Sequence, residues 1–97
     1  MLTGKQKRFL RSEANHLNSI FQVGKGGVNE NMIKQIAEAL EARELIKVSI
    51  LQNCEIEKGE VAEQLCNEIN AELVQMIGRI IVLYKESTEN KKLQLPD

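Results

Sequence analysis

The chain has 97 residues, 42% of them hydrophobic and 28% charged, with a formal net charge of −1; one domain with one modest core is expected, spanning 1–97. The longest apolar run, Ile80 to Tyr84, is far too short for a membrane span, and the charged N-terminus has no apolar secretory segment, so a cytoplasmic protein is expected. Aromatic residues make up 3% of the chain, which excludes a base-stacking platform of several rings.

In chain order, Thr3 and Gln6 form a Thr-x-x-Gln capping box, so a first helix is predicted from Gly4 to about Asn15. Leu10, Ala14 and Leu17 share one face, while Lys7, Arg8 and Arg11 cluster beside it with Lys5 at the edge. Ser19 to Val23 reads as a short strand running into Gly24-Lys25-Gly26-Gly27. Asn29 offers an N-cap for a second helix ending near Arg43. Its apolar stripe is Met32, Ile33, Ile36, Ala37 and Leu40, with Glu38 and Glu41 on the opposite side.

Leu45 to Leu51 alternates as a strand with one wetter face. A third helix is predicted from about Lys58 to Asn70, with Val61, Ala62, Leu65, Cys66 and Ile69 inward. Glu72 to Ile77 and Ile80 to Lys85 are two strands joined by Gly78-Arg79, and glycine first in a two-residue loop suits a type II′ hairpin. The run from Ile80 to Tyr84 does not alternate, the mark of a central strand covered on both faces. From Glu86 onward a loosely ordered tail is expected.

The order α-β-α-β-α-β-β implies an α/β fold: a mixed four-stranded sheet, two layers deep, with right-handed crossovers and a final antiparallel strand. Charge is unevenly spread along it. Residues 1–25 carry a net +4, residues 26–77 a net −6 and residues 78–97 a net +1. Such polarity steers a polyanion to one side of a molecule, although a solvated charged helix gives the same count.

The glycine loop is the sharpest chemical feature. Glycine lets backbone approach a ligand closely, the helix that follows offers an anion site, and Lys25 adds a cation. The Walker A and Gly-x-Gly-x-x-Gly spacings are absent. From the motif alone, a phosphate cradle and a tight strand-to-helix turn are both open. If the first three strands are parallel, Arg79 shares the loop's edge of the sheet. His16 is the sole histidine, the serines have no acid–base partners, and Cys54 and Cys66 lack metal-ligand spacing. No catalytic residue, metal site or small-molecule cofactor is therefore expected, and the cysteines read as inert thiols.

Four segments then stand together: Leu2-Thr3-Gly4-Lys5-Gln6-Lys7-Arg8-Phe9-Leu10, Val23-Gly24-Lys25-Gly26-Gly27, Glu44-Leu45-Ile46-Lys47-Val48 and Ile77-Gly78-Arg79-Ile80-Ile81-Val82-Leu83-Tyr84. In that order and spacing the chain resembles the YhbY-type CRM domain (chloroplast RNA splicing and ribosome maturation). The resemblance covers Leu2 to about Pro96. It implies a sheet order of 1-2-4-3, similar to the C-terminal domain of translation initiation factor three. It also implies an RNA-binding protein that contacts rRNA of the large ribosomal subunit during assembly. The loop is likened to the GxxG loop of KH domains, which clamps nucleic-acid backbone. By position, RNA contact falls on Gly24, Lys25, Gly26 and Gly27, and on Lys5, Lys7, Arg8 and Arg11 of the basic helix; the placement of Arg79 adds it to the set. The alternative is a protein-interaction module that docks a basic ribosomal protein on the acidic helical face.

Overall fold

The computed structural model describes residues 2–97. Its elements are α1 (Gly4–Ala14), β1 (Ser19–Val23), α2 (Glu30–Arg43), β2 (Leu45–Ile50), α3 (Lys58–Ile69), β3 (Glu72–Ile77) and β4 (Ile80–Tyr84). The capping box forms as read: the Gln6 N–H donates to Thr3 Oγ1 at 3.1 Å and the Thr3 N–H donates to Gln6 Oε1 at 3.0 Å. At α2 the Met32 N–H donates to Asn29 Oδ1 at 2.8 Å. At α3 the carboxylate of Glu57 accepts from the Gly59 and Glu60 amides. Each cap satisfies amides that a helix start leaves without partners.

The sheet order is β1-β2-β4-β3. β1 and β2 are parallel, and β4 runs antiparallel to both its neighbours. β4 is thus central, as its unbroken apolar run implies. Gly78 has φ +56 while Arg79 stays at negative φ, the pattern of a II′ rather than a I′ turn.

Pleating divides the strands between two cores. Ile46, Val48 and Ile50 of β2 with Ile81 and Leu83 of β4 pack under α2 and α3 through Ile36, Leu40, Val61 and Leu65. Leu45, Val82 and Tyr84 point the other way and meet Leu10 and Ala14 of α1. The helices therefore cover both faces, and α1 adds a third layer to the two expected. A strand with Ile81 and Leu83 on one side and Val82 and Tyr84 on the other needs cover on both. Truncating Leu83, fully buried, to Ala is expected to cost about 2–5 kcal/mol.

The segment after Tyr84, read as a loose tail, has no helix or strand but is firmly held. Leu93 and Leu95 pack against the α1-side cluster, and Gln6 Nε2 donates to the Pro96 carbonyl at 3.0 Å. Two glutamates hold the rest. The buried Glu44 carboxylate accepts the N–H groups of Ser87 at 2.8 Å, Lys92 at 2.6 Å and Leu93 at 2.8 Å. Glu41 accepts from the Ser87 hydroxyl at 2.6 Å and from the Thr88 and Glu89 amides at 3.1 Å each. A buried carboxylate persists only when its oxygens are matched by donors, and here the tail's backbone supplies them.

Candidate nucleic-acid interface

The loop between β1 and α2 is a β-turn, in which the Gly27 N–H donates to the Gly24 carbonyl at 3.0 Å. Lys25 and Gly26 form its exposed tip. Their own N–H groups make no hydrogen bond among the described residues. Two free amides beside a free ammonium form a small anion cradle.

The three glycines are not equivalent. Gly27 is buried at φ +71, and a Cβ there would meet Ile56 Cγ1 at 3.1 Å. The turn itself requires this glycine. Neither Gly24 nor Gly26 has a positive φ. A Cβ on Gly24 would make only ordinary contacts at 3.7 Å, and one on Gly26 would meet nothing within 4 Å. Folding thus accounts for one glycine of three.

The helix end contributes less than the sequence reading assigned to it. Val28 and Asn29 separate the turn from α2, Asn29 already caps Met32, and Glu30 puts a carboxylate in the first turn. The cradle therefore belongs to the turn's own backbone.

Arg79 lies at the same edge. β3 runs parallel to β1 and β2, so the β3–β4 turn meets their C-terminal ends. Arg79 Nε donates to the Ile50 carbonyl at 2.8 Å and its second guanidinium nitrogen to the Leu51 carbonyl at 2.7 Å. Leu51 in turn donates its N–H to the Val23 carbonyl at 2.9 Å, just before Gly24. Arg79 clasps the end of β2 while its charge remains exposed at the rim. The sequence reading had missed Lys58, which donates to the Gly78 carbonyl at 2.7 Å. Nothing in its local pattern singles it out, since the β3–β4 turn is brought to it only by the crossover. Three exposed apolar side chains, Leu51, Ile56 and Ile77, belong to segments at this end of the sheet.

The basic helix stands apart from this edge. α1 lies on the sheet face opposite α2 and α3. Lys5 and Arg8 are exposed, and Lys7 and Arg11 are half-buried beside its packed stripe. None of the four, nor Lys25, is engaged in an ion pair or side-chain hydrogen bond among the described residues. Their charges are free for an outside anion, but no contact merges them with the loop.

On the acidic side, Glu41 is not a free docking charge. The Ser87 hydroxyl and the Thr88 and Glu89 amides hold its carboxyl down at about 2. For Glu44, burial pushes the carboxyl up, but the Leu93, Ser87 and Lys92 amides and the Lys91 charge outweigh it and leave it lowered. The thiols are free and half-buried, and burial, followed by the Glu72 charge, pushes Cys66 up. Among the described residues no cluster of three His, Cys, Asp or Glu could hold a metal ion, and no helix is long and apolar enough to cross a membrane.

At one edge of this small α/β protein, then, two open backbone amides lie beside the free ammonium of Lys25 and the braced guanidinium of Arg79. The chain belongs to the CRS1 / YhbY (CRM) domain family, whose model matches residues 2–85. It is 74% identical over 96 residues to the Bacillus subtilis protein named "Probable RNA-binding protein YqeI", covering 99% of this chain and 100% of that one. It is 40% identical over 95 residues to a Haemophilus influenzae protein named "RNA-binding protein", covering 98% and 95% of the two chains. The solution structure of the hypothetical protein SAV1595 from Staphylococcus aureus is similar with a TM-score of 0.82 and 61% identity, covering 99% of this chain and 100% of that one.

Proposed function

We propose that this protein binds RNA, gripping the phosphate backbone with Gly24, Lys25, Gly26 and Gly27, with Arg79 at the same rim and Lys5, Lys7, Arg8 and Arg11 as a second cationic surface. The RNA is rRNA of the large ribosomal subunit during assembly, the target that the family resemblance implies. The protein acts as a binding factor in the cytoplasm, without a cofactor.

One observation carries this reading. Gly24 and Gly26 are required by neither dihedral angle nor packing, yet they flank Lys25, which offers both a free amide and a free ammonium at the tip of the turn. A turn that only had to reverse direction would need glycine at 27 alone. Leaving out side chains at 24 and 26 keeps the backbone open to a ligand that touches it. The names of the relatives supply the class of ligand. The acidic-face alternative is weakened because Glu41 is occupied by the chain's own tail.

The test is binding to large-subunit rRNA fragments across a salt series, beside Gly26→Val and a Lys25→Glu, Arg11→Glu double variant. Four to six phosphate contacts predict a slope of log K against log salt of about −3 to −4 for single strands. Both variants should stay folded by circular dichroism and lose most of the affinity. Tight, salt-insensitive binding, or folded variants that bind like the wild type, would overturn the backbone-gripping reading.

A further inference from the structure

β1 is an edge strand, paired only with β2. A groove of about 490 Å³ lies between it and α2, lined by the carboxamides of Gln22, Asn31 and Gln35 and by no charged residue. Natural edge strands are commonly blunted by a charge or a proline, and Ser-Ile-Phe-Gln-Val has neither. The register with β2 shifts between Ser19 and Phe21 and is regular from Phe21 to Val23. The Val23 carbonyl points to β2, where it accepts from the Leu51 N–H at 2.9 Å. Alternation along the strand then turns the Ile20 carbonyl, the Gln22 N–H and carbonyl and the Gly24 N–H outward. None of them has a partner on that outer side among the described residues.

In chain order these outward groups read acceptor, donor, acceptor, donor. A second copy turned end for end presents donor, acceptor, donor, acceptor against them. An antiparallel pairing with Gln22 opposite Gln22 satisfies them all: the glutamines exchange both backbone bonds, and each Gly24 N–H meets the opposed Ile20 carbonyl. That register also sets the second copy's Ile20 against Gly24, next to Lys25. Ile20 lines a further concavity, about 480 Å³, at the start of β1 and β2, where Arg43, Lys92 and His16 face a single carboxylate, Glu13. Within one chain, this concavity and the glycine turn lie at opposite ends of β1. In the pair, each turn meets the other copy's concavity. The free amides of Lys25 and Gly26, the Lys25 ammonium and the second copy's Arg43 and Lys92 then border one space. Two cationic surfaces brought together empty repel, and an anion between them reverses the sign. A strand from another protein could use the same backbone groups, but a copy of this chain brings the complementary cations with it.

We propose that two copies of this chain pair antiparallel through β1 and that a phosphate of bound RNA bridges them, held by the glycine turn of one copy and by Arg43 and Lys92 of the other. The proposal rests on the RNA-binding reading above. Two-fold symmetry makes the two bridges of a pair equivalent. Pairing and RNA binding are thereby linked: RNA favours the pair, and the pair favours RNA. Without RNA, the repulsion keeps the copies apart.

The pairing puts the two Gln22 Cα atoms about 5.5 Å apart, within reach of a disulfide. Gln22→Cys is therefore compared with Gln64→Cys on the exposed side of α3, in the full chain, with every variant checked for an unchanged melt. Both are treated with a mild oxidant with and without large-subunit rRNA fragments, and linked dimer is read on non-reducing gels. Fluorescence anisotropy follows RNA binding in the same samples. Gln22→Cys should link several-fold more with RNA than without it, while Gln64→Cys stays near background in both. Adding Arg43→Ala and Lys92→Ala to Gln22→Cys should remove the gain that RNA brings. If Gln22→Cys links no more than Gln64→Cys on bound RNA, a second copy does not occupy the β1 edge; the pairing is overturned and the RNA-binding reading stands. Equal linking with and without RNA, or a gain that survives loss of Arg43 and Lys92, overturns the phosphate bridge. Absence of binding to every RNA fragment overturns both readings.

Discussion

Glu44 offers a perturbation whose size follows from its geometry. It sits at φ +68 after α2, where glycine is the usual residue, and its carboxylate is buried among three tail amides. Glu44→Ala keeps the same strained backbone, so the strain cancels and the change reports the carboxylate alone. Three hydrogen bonds to a charged acceptor would total about 4–9 kcal/mol if independent. The Lys92 and Leu93 amides are only part-buried, so water can replace the acceptor once the tail lifts. A net loss of about 3 kcal/mol is expected, which lowers the midpoint by roughly 12–24 °C for a chain of this size. Glu44→Gly loses the same bonds but relieves the left-handed strain, so it should be about 1 kcal/mol more stable than Glu44→Ala. Urea and thermal melts give the energies, and hydrogen exchange at Ser87, Lys92 and Leu93 gives the location. A Glu44→Ala protein with wild-type stability and protected tail amides would refute the latch argument. A Glu44→Gly protein no more stable than Glu44→Ala would refute the strain argument.

Other expectations follow from the same contacts. Gly27→Ala should destabilise by about 1–2 kcal/mol, because of its φ and the 3.1 Å approach to Ile56, while Gly26→Ala should leave the melt unchanged. Arg79→Ala should cost about 1–3 kcal/mol by freeing the Ile50 and Leu51 carbonyls, and Arg79→Lys should recover little of it because lysine lacks the two-pronged geometry. Glu41 and Glu44 bind protons more weakly folded than unfolded. Their stabilisation is therefore complete above the ordinary carboxylate value of 4.5 and lost as pH falls below it, for Glu41 towards about 2. Tail amides should lose exchange protection in that window ahead of the sheet, and a tail that stays protected at pH 2 would contradict the assignment.

Much of the fold was legible because it rests on local rules. The capping box at Thr3, the alternation of β2, the II′ turn at Gly78 and the central place of β4 each follow from a few neighbouring residues. The third layer was legible in part. The unbroken run of β4 demanded cover on both faces, but nothing local said that α1 would supply it. Glu41 and Glu44 were harder, since a glutamate at the end of a helix reads as solvated. Its partners lie more than forty residues away, and only the folded chain brings them within reach.

The candidate site divides along the same line. Sequence alone identified the glycine turn, the cations of α1 and the hairpin arginine, because glycine and charge are properties of single residues. Tertiary structure decided what each one does. It showed that Gly27 serves the fold while Gly24 and Gly26 stay open, and that Arg79 both braces β2 and edges the loop. It placed α1 on the far face of the sheet and opened the amide-lined groove beside β1. Those are consequences of strand order and packing. Residues far apart in the chain acquire a common surface only when the sheet that joins them has formed.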